Sequence, residues 1–317
     1  MRIENLKFEE SLRRYSAVLV LLVFVLINSV ATPNFFQLSN LNNIIMQICP
    51  IILCSMGMTL VISTGGIDIS VGSIMAISGV ICALTMTGLG IFTGIIIGLL
   101  VGSVCGLLNG FFVGTLRLQA MVITLGMQLG IRGLAQVLCG GRDIYFNKLG
   151  LIGKEFAVIG NYKLLGFIPI QIVPIIFVSF FVWILVEKMV IGKQIQAVGD
   201  NLRSSVLTGI NANKIYFFVY GLSGLFAALA GVFQSARIQV AAGSSLGQLA
   251  ELDAIAAVVI GGTPMAGGKA HVGGTIIGAL IMQMITLTCV MNNVPDEYAQ
   301  VFKALIIVFA VYIQRSK

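Results

Sequence analysis

Long apolar runs alternate with short polar segments along almost the whole chain. A membrane-spanning helix needs about 20 apolar residues, with a range of roughly 17–25. The pattern therefore predicts an all-α polytopic membrane protein with about ten transmembrane helices, forming a single domain over residues 1–317. The eighth run is short and merges into glycines, so it is expected to be broken or to cross only part of the bilayer. The predicted spans are 15–31, 42–63, 70–87, 91–114, 119–139, 168–187, 215–236, 251–264, 272–290 and 298–314.

The second and third runs are separated by an unusual break. In the sequence VISTGGIDISVG, over residues 61–72, the apolar run stops at Thr64, and Asp68 precedes the next run. A helix break and a carboxylate are both costly in lipid unless protein or a water-filled path surrounds them. Such breaks are common in proteins that move solutes across membranes. The alternative is an ordinary short loop between two spans.

A second glycine-rich segment, VVIGGTPMAGGKAHVGG, covers residues 258–274. It is not a phosphate-binding loop, because Thr263 stands where the first glycine belongs and Ala270 stands where Ser or Thr must reach magnesium. We therefore expect no ATP site in this chain. Both breaks have a double glycine after a Val-Ile pair, which suggests a weak internal repeat. The residues assigned to the breaks and to a translocation path are Gly65, Gly66, Asp68, Ser70, Gly72, Glu251, Asp253, Gly261, Gly262, Gly267 and Gly268.

Glycine recurs at every fourth position of the fourth run. At helical spacing these glycines form one slowly drifting groove of bare backbone, which lets another helix approach closely. The groove is expected to pack inside the bundle, with a dimer seam as the alternative. Its members are Gly94, Gly98, Gly102, Gly106, Gly110 and Gly114.

Two polar segments are long enough to carry function. Segment 140–166 is predicted on the outer side and 188–213 on the cytoplasmic side. Within the cytoplasmic segment, residues 199–211 are predicted to form a short amphipathic helix with an apolar stripe at four-residue spacing. It is either a docking helix or a solvated connector. Its candidate residues are Gly199, Asp200, Asn201, Leu202, Val206, Gly209 and Ile210, with Asp200 or Asn201 as the N-cap.

Composition supports the membrane assignment. Charged residues make up only 10% of the chain, against about a quarter in soluble domains, and the mean hydropathy is +1.03. The net charge of +7 does not indicate a nucleic-acid partner, because the 19 basic residues lie between apolar runs. Their distribution places both termini, including segment 1–14, in the cytoplasm. With no CxxC pair and a single histidine, His271, we expect no metal site.

Acidic residues near the spans are scarce. Only Asp68, Glu251 and Asp253 lie close to them, and all three are next to breaks or span ends. Carriers driven by ion gradients usually hold ionisable groups near the bilayer midplane. A pore that takes its energy from another protein fits this pattern better, and a neutral polar solute is favoured. Polar residues within spans offer hydrogen bonds either to solute hydroxyls or between helices: Asn109, Thr124, Gln128, Gln136, Gln234 and Gln283.

Three motifs together resemble the permeases of ribose-type ABC importers: TGGIDISVGS at 64–73, AVGDNLRSSVLTGIN at 197–211, and ELDAIAAVVIGGTPMAGGKAHVGGTIIGAL at 251–280. The resemblance runs from about residue 42 to the C-terminus. It implies a multi-pass subunit of the bacterial inner membrane with about ten helices. It also implies cytoplasmic ABC ATPases that hold ATP and magnesium, a second permease copy, and a periplasmic binding protein that delivers a monosaccharide or related compound.

The chain departs from the family pattern at the predicted cytoplasmic helix. Asp200 stands where the family often has a second glycine, and Leu202-Arg203-Ser204-Ser205 replaces an alanine-rich stretch. These differences change the surface that would meet the ATPase. The resemblance does not identify the sugar. A secondary transporter of a small polar solute, driven by an ion gradient, is the alternative.

Overall fold

Thirteen α-helices dominate the described part of a computed structural model, which covers residues 17–30 and 32–315. The N-terminal segment 1–14 lies outside the described residues. The helices are α1 Ala17–Val30, α2 Leu38–Ser63, α3 Val71–Leu89, α4 Ile91–Gly114, α5 Ala120–Leu138, α6 Gly150–Asn161, α7 Ile172–Glu187, α8 Val190–Asp200, α9 Leu202–Leu207, α10 Ala212–Ile238, α11 Ala250–Ile260, α12 Val272–Met291 and α13 Asp296–Arg315.

Two small antiparallel sheets accompany the helices. Strand β1 (Ile144–Tyr145) pairs with β4 (Val240–Ala241), and β2 (Lys163–Leu164) pairs with β3 (Ile168–Pro169). The segment 140–166, predicted as a polar loop, thus contains β1, a 3₁₀ turn, helix α6 and β2. The rings of Phe146 and Phe156 pack edge to face with centroids 4.9 Å apart. This contact holds α6 against the 3₁₀ turn that precedes it.

Six described helices are long and apolar enough to cross a membrane: α2, α3, α4, α5, α10 and α12. Helices α7 and α8 pass the same test only as a pair bent by 71°, which would make seven. The prediction of an all-α polytopic membrane protein is confirmed at this level. The count of ten spans and the cytoplasmic position of both termini stay predictions.

The eighth predicted run, 251–264, forms only the 11-residue helix α11. A non-helical segment, residues 242–249, leads into it from β4. At its other end α11 stops at Ile260, before the double glycine Gly261-Gly262.

Helix α10 lies at the centre of the bundle, between α2, α3 and α4. The glycines of α4 face α3 and α10 of the same chain. A methyl group on Gly110 would lie 2.7 Å from Phe217 Cα, and one on Gly94 would lie 2.8 Å from Met86 Cβ. Side chains at these positions would push the helices apart.

The predicted helix over 199–211 is wrong in its extent, because the chain forms two helices there. Asn201 is extended, with φ −154° and ψ 99°, so it ends α8 at Asp200 and begins α9 at Leu202. Its side-chain oxygen accepts a hydrogen bond of 2.9 Å from the Ser204 N–H. Asn201 is thus the N-cap, and the left-handed Gly209 (φ 88°) follows α9. Gly199 and Asp200 belong to the preceding helix.

Candidate functional site

The first break begins where α2 ends. The N–H groups of Gly65 and Gly66 donate to the carbonyl oxygens of Ile62 and Val61, at 2.8 and 3.2 Å. Gly65 has a φ of +78°, a left-handed conformation that glycine adopts without strain at helix ends. The chain can therefore reverse there and enter α3 after only seven residues, 64–70.

Asp68 is fully buried in this break and accepts four hydrogen bonds. Its Oδ1 atom accepts from the Ser70 N–H at 3.1 Å, the Ser70 hydroxyl at 2.7 Å and the Asn109 amide at 3.4 Å. Its Oδ2 atom accepts from the Ser223 hydroxyl at 2.9 Å. The Asn109 amide also donates to Ser70 Oγ, at 2.8 Å. Asp68 thereby connects the break to α4 and α10 by hydrogen bonds alone within the described residues.

Three segments distant in sequence meet where α2 ends. The Ser63 carbonyl accepts from the Gly268 N–H at 3.0 Å, and the Ser63 hydroxyl donates to the Lys269 carbonyl at 3.0 Å. A methyl group on Gly267 would lie 2.8 Å from Gly65 N and 3.1 Å from the Gly199 backbone. We call this cluster, residues 63–66, 199–200 and 266–269, the glycine junction. It brings both glycine-rich breaks against the last turn of α8.

The remaining glycines of the second segment lie elsewhere. Gly261 packs directly against the backbone of Gly274, which holds the end of α11 against the start of α12. Gly262 has a φ of +88° and open space around its Cα. These two residues are not part of the glycine junction.

Glu251 and Asp253 occupy the first turn of α11 but face different helices, because residues two apart on a helix do not share a face. Glu251 is buried, and its Oε1 atom accepts a hydrogen bond of 2.9 Å from the Gln128 amide of α5. Both oxygens of Asp253 accept from Lys303 Nζ of α13 at 2.9 Å. A methyl group on Gly72 would lie 2.6 Å from Glu251 Oε2, so the bare glycine makes room for this carboxylate.

One side of α5 carries four polar residues at four-residue spacing, which we call the α5 polar stripe. Three members donate hydrogen bonds to other segments of the bundle, two of them to irregular segments. The Thr124 hydroxyl donates to the Ile67 carbonyl at 3.1 Å, and the Arg132 guanidinium donates to the Leu246 carbonyl at 2.5 Å. Thr124, Gln128 and Gln136 were predicted individually as hydrogen-bonding residues within spans, and no role was predicted for Arg132, although the four-residue spacing is visible in the sequence. The members are Thr124, Gln128, Arg132 and Gln136.

A cavity of about 220 Å³ lies between the first break, the end of α4 and the start of α10. Arg117, Asn213 and Tyr216 supply its polar lining, and Leu202 of α9 reaches it. The cavity thus connects the first break with the segment predicted to dock.

Helix α9 keeps much of its apolar surface open. Leu202 is 40% exposed and Val206 is 46% exposed, whereas Ile210 is half-buried. The charged and polar neighbours Arg203 and Ser204 are also exposed. The helix therefore presents a small mixed surface that nothing in the described chain covers.

The chain is similar to known permeases over nearly its whole length. The model of the family described as branched-chain amino acid transport system, permease component, matches residues 40–311. The ribose import permease protein RbsC of Escherichia coli (strain K12) is 37% identical over 311 residues, or 96% of this chain and 95% of the relative. The galactofuranose transporter permease protein YtfT of the same strain is 34% identical, over 95% of this chain and 89% of the relative.

A further relative comes from another organism. The fructose import permease protein FruF of Bifidobacterium longum (strain NCC 2705) is 37% identical over 268 residues, or 84% of this chain and 74% of the relative. No solved structure matches the chain.

Proposed function

Because this chain belongs to the family of permease components described for branched-chain amino acid transport systems, we propose that it forms the translocation path of an ATP-driven importer for a monosaccharide or related neutral polar solute. The observation that carries the proposal is the full-length similarity to permeases named for ribose, galactofuranose and fructose. The chain is a transport subunit, and ATP hydrolysis belongs to a separate ATPase subunit.

The family implies two kinds of partner, an ATPase and a substrate-binding protein. We propose that the ATPase holds ATP and magnesium in the cytoplasm, that the chain itself binds no cofactor, and that the binding protein is periplasmic. A second permease copy, identical or a close paralogue, completes the complex. The partly exposed Arg132 on α5 supports this arrangement, because a lone bundle would present that charge to lipid at high cost.

The chain is a multi-pass membrane protein, and we assign it to the bacterial inner membrane with ten spans and both termini in the cytoplasm. The basic residues support this orientation. Lys193, Arg203, Lys214 and Lys269 lie on or beside the segments that form or flank the glycine junction. An excess of Lys and Arg is expected on the cytoplasmic side of a membrane protein.

Coupling to the ATPase is assigned to α9 and the end of α8. The open apolar side chains of Leu202 and Val206 suit insertion into a groove on the ATPase, as amphipathic helices commonly do. Motion of this segment would reach both breaks through Gly199, since its Cα lies directly against the Ser63 carbonyl. The path residues would then respond through the Asp68 hydrogen bonds.

Transport in proteoliposomes tests the proposal. The chain is reconstituted with the ATPase and the binding protein that co-purify with it, and uptake of labelled D-ribose, D-fructose and D-galactose is measured. We expect uptake of at least one sugar that requires ATP on the side of the ATPase and stops when the binding protein is omitted. Accumulation driven by a proton or sodium gradient without ATP would favour the secondary transporter instead.

A further inference from the structure

Arg132 is the charged residue of the α5 polar stripe. It lies six residues before the end of α5 at Leu138, which corresponds to about 9 Å at the helical rise of 1.5 Å per residue. A guanidinium carries five N–H donors, and the described residues accept one hydrogen bond from it, at Leu246. Its side chain is only half-buried.

A partly exposed arginine at this depth does not face hydrocarbon, because charged side chains within spans turn toward protein or a water-filled cavity. Gln128, one turn away, is also half-buried, and Gln136, one turn further on, is exposed. The opposite surface of α5 is apolar, with Val137 75% exposed. The two sides of α5 therefore face different surroundings, and the polar side borders water.

Glu251 adds an opposite charge to this side. It interacts electrostatically with Arg132 and accepts a hydrogen bond from Gln128. Its Oε2 atom is buried and has no hydrogen-bond partner among the described residues. The set therefore combines free donors on Arg132 with an amide and a carboxylate whose charge offsets the guanidinium. Hydroxyl groups both donate and accept hydrogen bonds, so a neutral polyol matches this set better than an ion of either sign.

We propose that the α5 polar stripe, together with Glu251, is the wall of the path that contacts the solute, with Gln128 and Arg132 hydrogen-bonded to sugar hydroxyls as it passes. Arg132 is the specificity-determining residue, because its planar fork can engage two neighbouring hydroxyls at once. Thr124 and Glu251 position the wall. Thr124 donates a hydrogen bond to the Ile67 carbonyl, and Glu251 accepts one from Gln128. This inference rests on the proposed function and names the site within it.

The test compares variants with sugars that lack single hydroxyls. Proteoliposomes holding the whole complex take up D-ribose, 2-deoxy-D-ribose or 5-deoxy-D-ribose, at saturating loaded binding protein. Uptake by each variant is divided by that of the unaltered complex for the same sugar, which removes the preference of the binding protein. The variants are Gln128→Leu, Arg132→Gln and Arg132→Lys, and the control is Val137→Ala on the apolar side of α5.

If a side chain contacts a sugar hydroxyl directly, the effects on uptake of removing each of them are not additive. Once one partner is gone, removing the other costs little more, because their hydrogen bond is already lost. We expect Arg132→Gln to lower D-ribose uptake about tenfold but to lower uptake of one deoxyribose only about twofold. Arg132→Lys keeps the positive charge but lacks the planar, forked guanidinium. It should therefore change the uptake of D-ribose relative to that of the two deoxyriboses. Val137→Ala should stay within about twofold for every sugar.

Assembly is checked by the amount of complex reconstituted and by its basal ATP hydrolysis, so that misfolded variants are recognised. Equal losses for all sugars in every well-assembled variant would mean that the stripe is only structural, and the inference would be overturned. Unchanged uptake would overturn it as well. If the unaltered complex imports none of the sugars that the first experiment tests, the proposed function itself fails, whatever the variants do.

Discussion

The backbone N–H of Gly268 donates a hydrogen bond of 3.0 Å to the carbonyl oxygen of Ser63. The last carbonyls of a helix lack partners within the helix, so the second glycine-rich segment satisfies a group that the end of α2 leaves open. Gly199 packs against the same carbonyl. The Ser63 carbonyl thus contacts both the second glycine-rich break and the segment proposed to bind the ATPase.

Replacing Gly199 with alanine tests the role of this close backbone contact in coupling. A methyl group there would overlap the Ser63 carbonyl and lie 2.6 Å from the Gly268 N–H. We expect a loss of about 1–3 kcal/mol in stability from overpacking, and more ATP hydrolysed per sugar imported. The measurements are thermal unfolding in detergent and the ratio of ATP hydrolysis to uptake.

Gly273→Ala is the matched control. Gly273 lies in the first turn of α12 with no atom within 4 Å of an added methyl group, so alanine should leave stability and coupling unchanged or slightly improved. Equal effects of the two substitutions would show that the close contact at Gly199 has no special part in coupling.

Asp68→Asn separates a structural carboxylate from a coupling acid. An amide keeps one acceptor oxygen, and the Ser70 and Ser223 hydroxyls can turn to accept from its N–H₂ group. We expect ATP-driven uptake to persist, with a loss of about 1–3 kcal/mol in stability from the weakened hydrogen bonds. Ser223→Ala removes one of the four donors and should have a smaller effect of the same kind.

The opposite outcome would assign Asp68 a proton-coupling role. In that case vesicles with the unaltered chain would accumulate solute along an ion gradient without ATP, and Asp68→Asn would abolish that accumulation. The thermal stability of the variant would then be close to that of the unaltered protein.

Hydrophobic runs predicted the helices closely because their ends carry local signals. The predicted span 91–114 coincides with α4, which follows Gly90 at φ +88°. The predicted end of the second span, at residue 63, is also correct. Helix α2 ends at Ser63, and the left-handed Gly65 two residues later stops it.

The glycine junction was not predictable in the same way. It depends on contacts between Ser63, Gly199 and Gly268, and no local spacing indicates which distant backbones meet. The extent of the predicted cytoplasmic helix was wrong for a different reason. Asp200 or Asn201 was predicted as its N-cap, and the Asn201 side chain does cap α9. The apolar stripe of Leu202, Val206 and Ile210, however, continues past the end of α9 at Leu207.

Gly209 tests the coupling role of α9. Its φ of +88° is strained for a β-branched residue, so Gly209→Val should distort the turn that leads from α9 to α10 and uncouple ATP hydrolysis from uptake while leaving membrane insertion intact. Asparagine tolerates the left-handed region better, so Gly209→Asn should retain most of the coupling. Normal coupling in the valine variant would count strongly against the assignment.

The ion pair between Asp253 and Lys303 should anchor α13 to α11. Both side chains are largely shielded, with 21% and 17% exposed, and Nζ lies 2.9 Å from each carboxylate oxygen. Lys303→Met would leave the carboxylate without its partner, which costs about 3–5 kcal/mol for a buried pair. Thermal unfolding in detergent measures the loss.

The double variant Asp253→Asn with Lys303→Met removes both charges, so it should be more stable than Lys303→Met alone. The reason is that an unpaired buried charge costs more than the loss of the attraction itself. The cycle of single and double variants isolates the coupling between the two residues. If the double variant loses as much as the two single variants together, the residues act independently, and α13 is held by its apolar contacts.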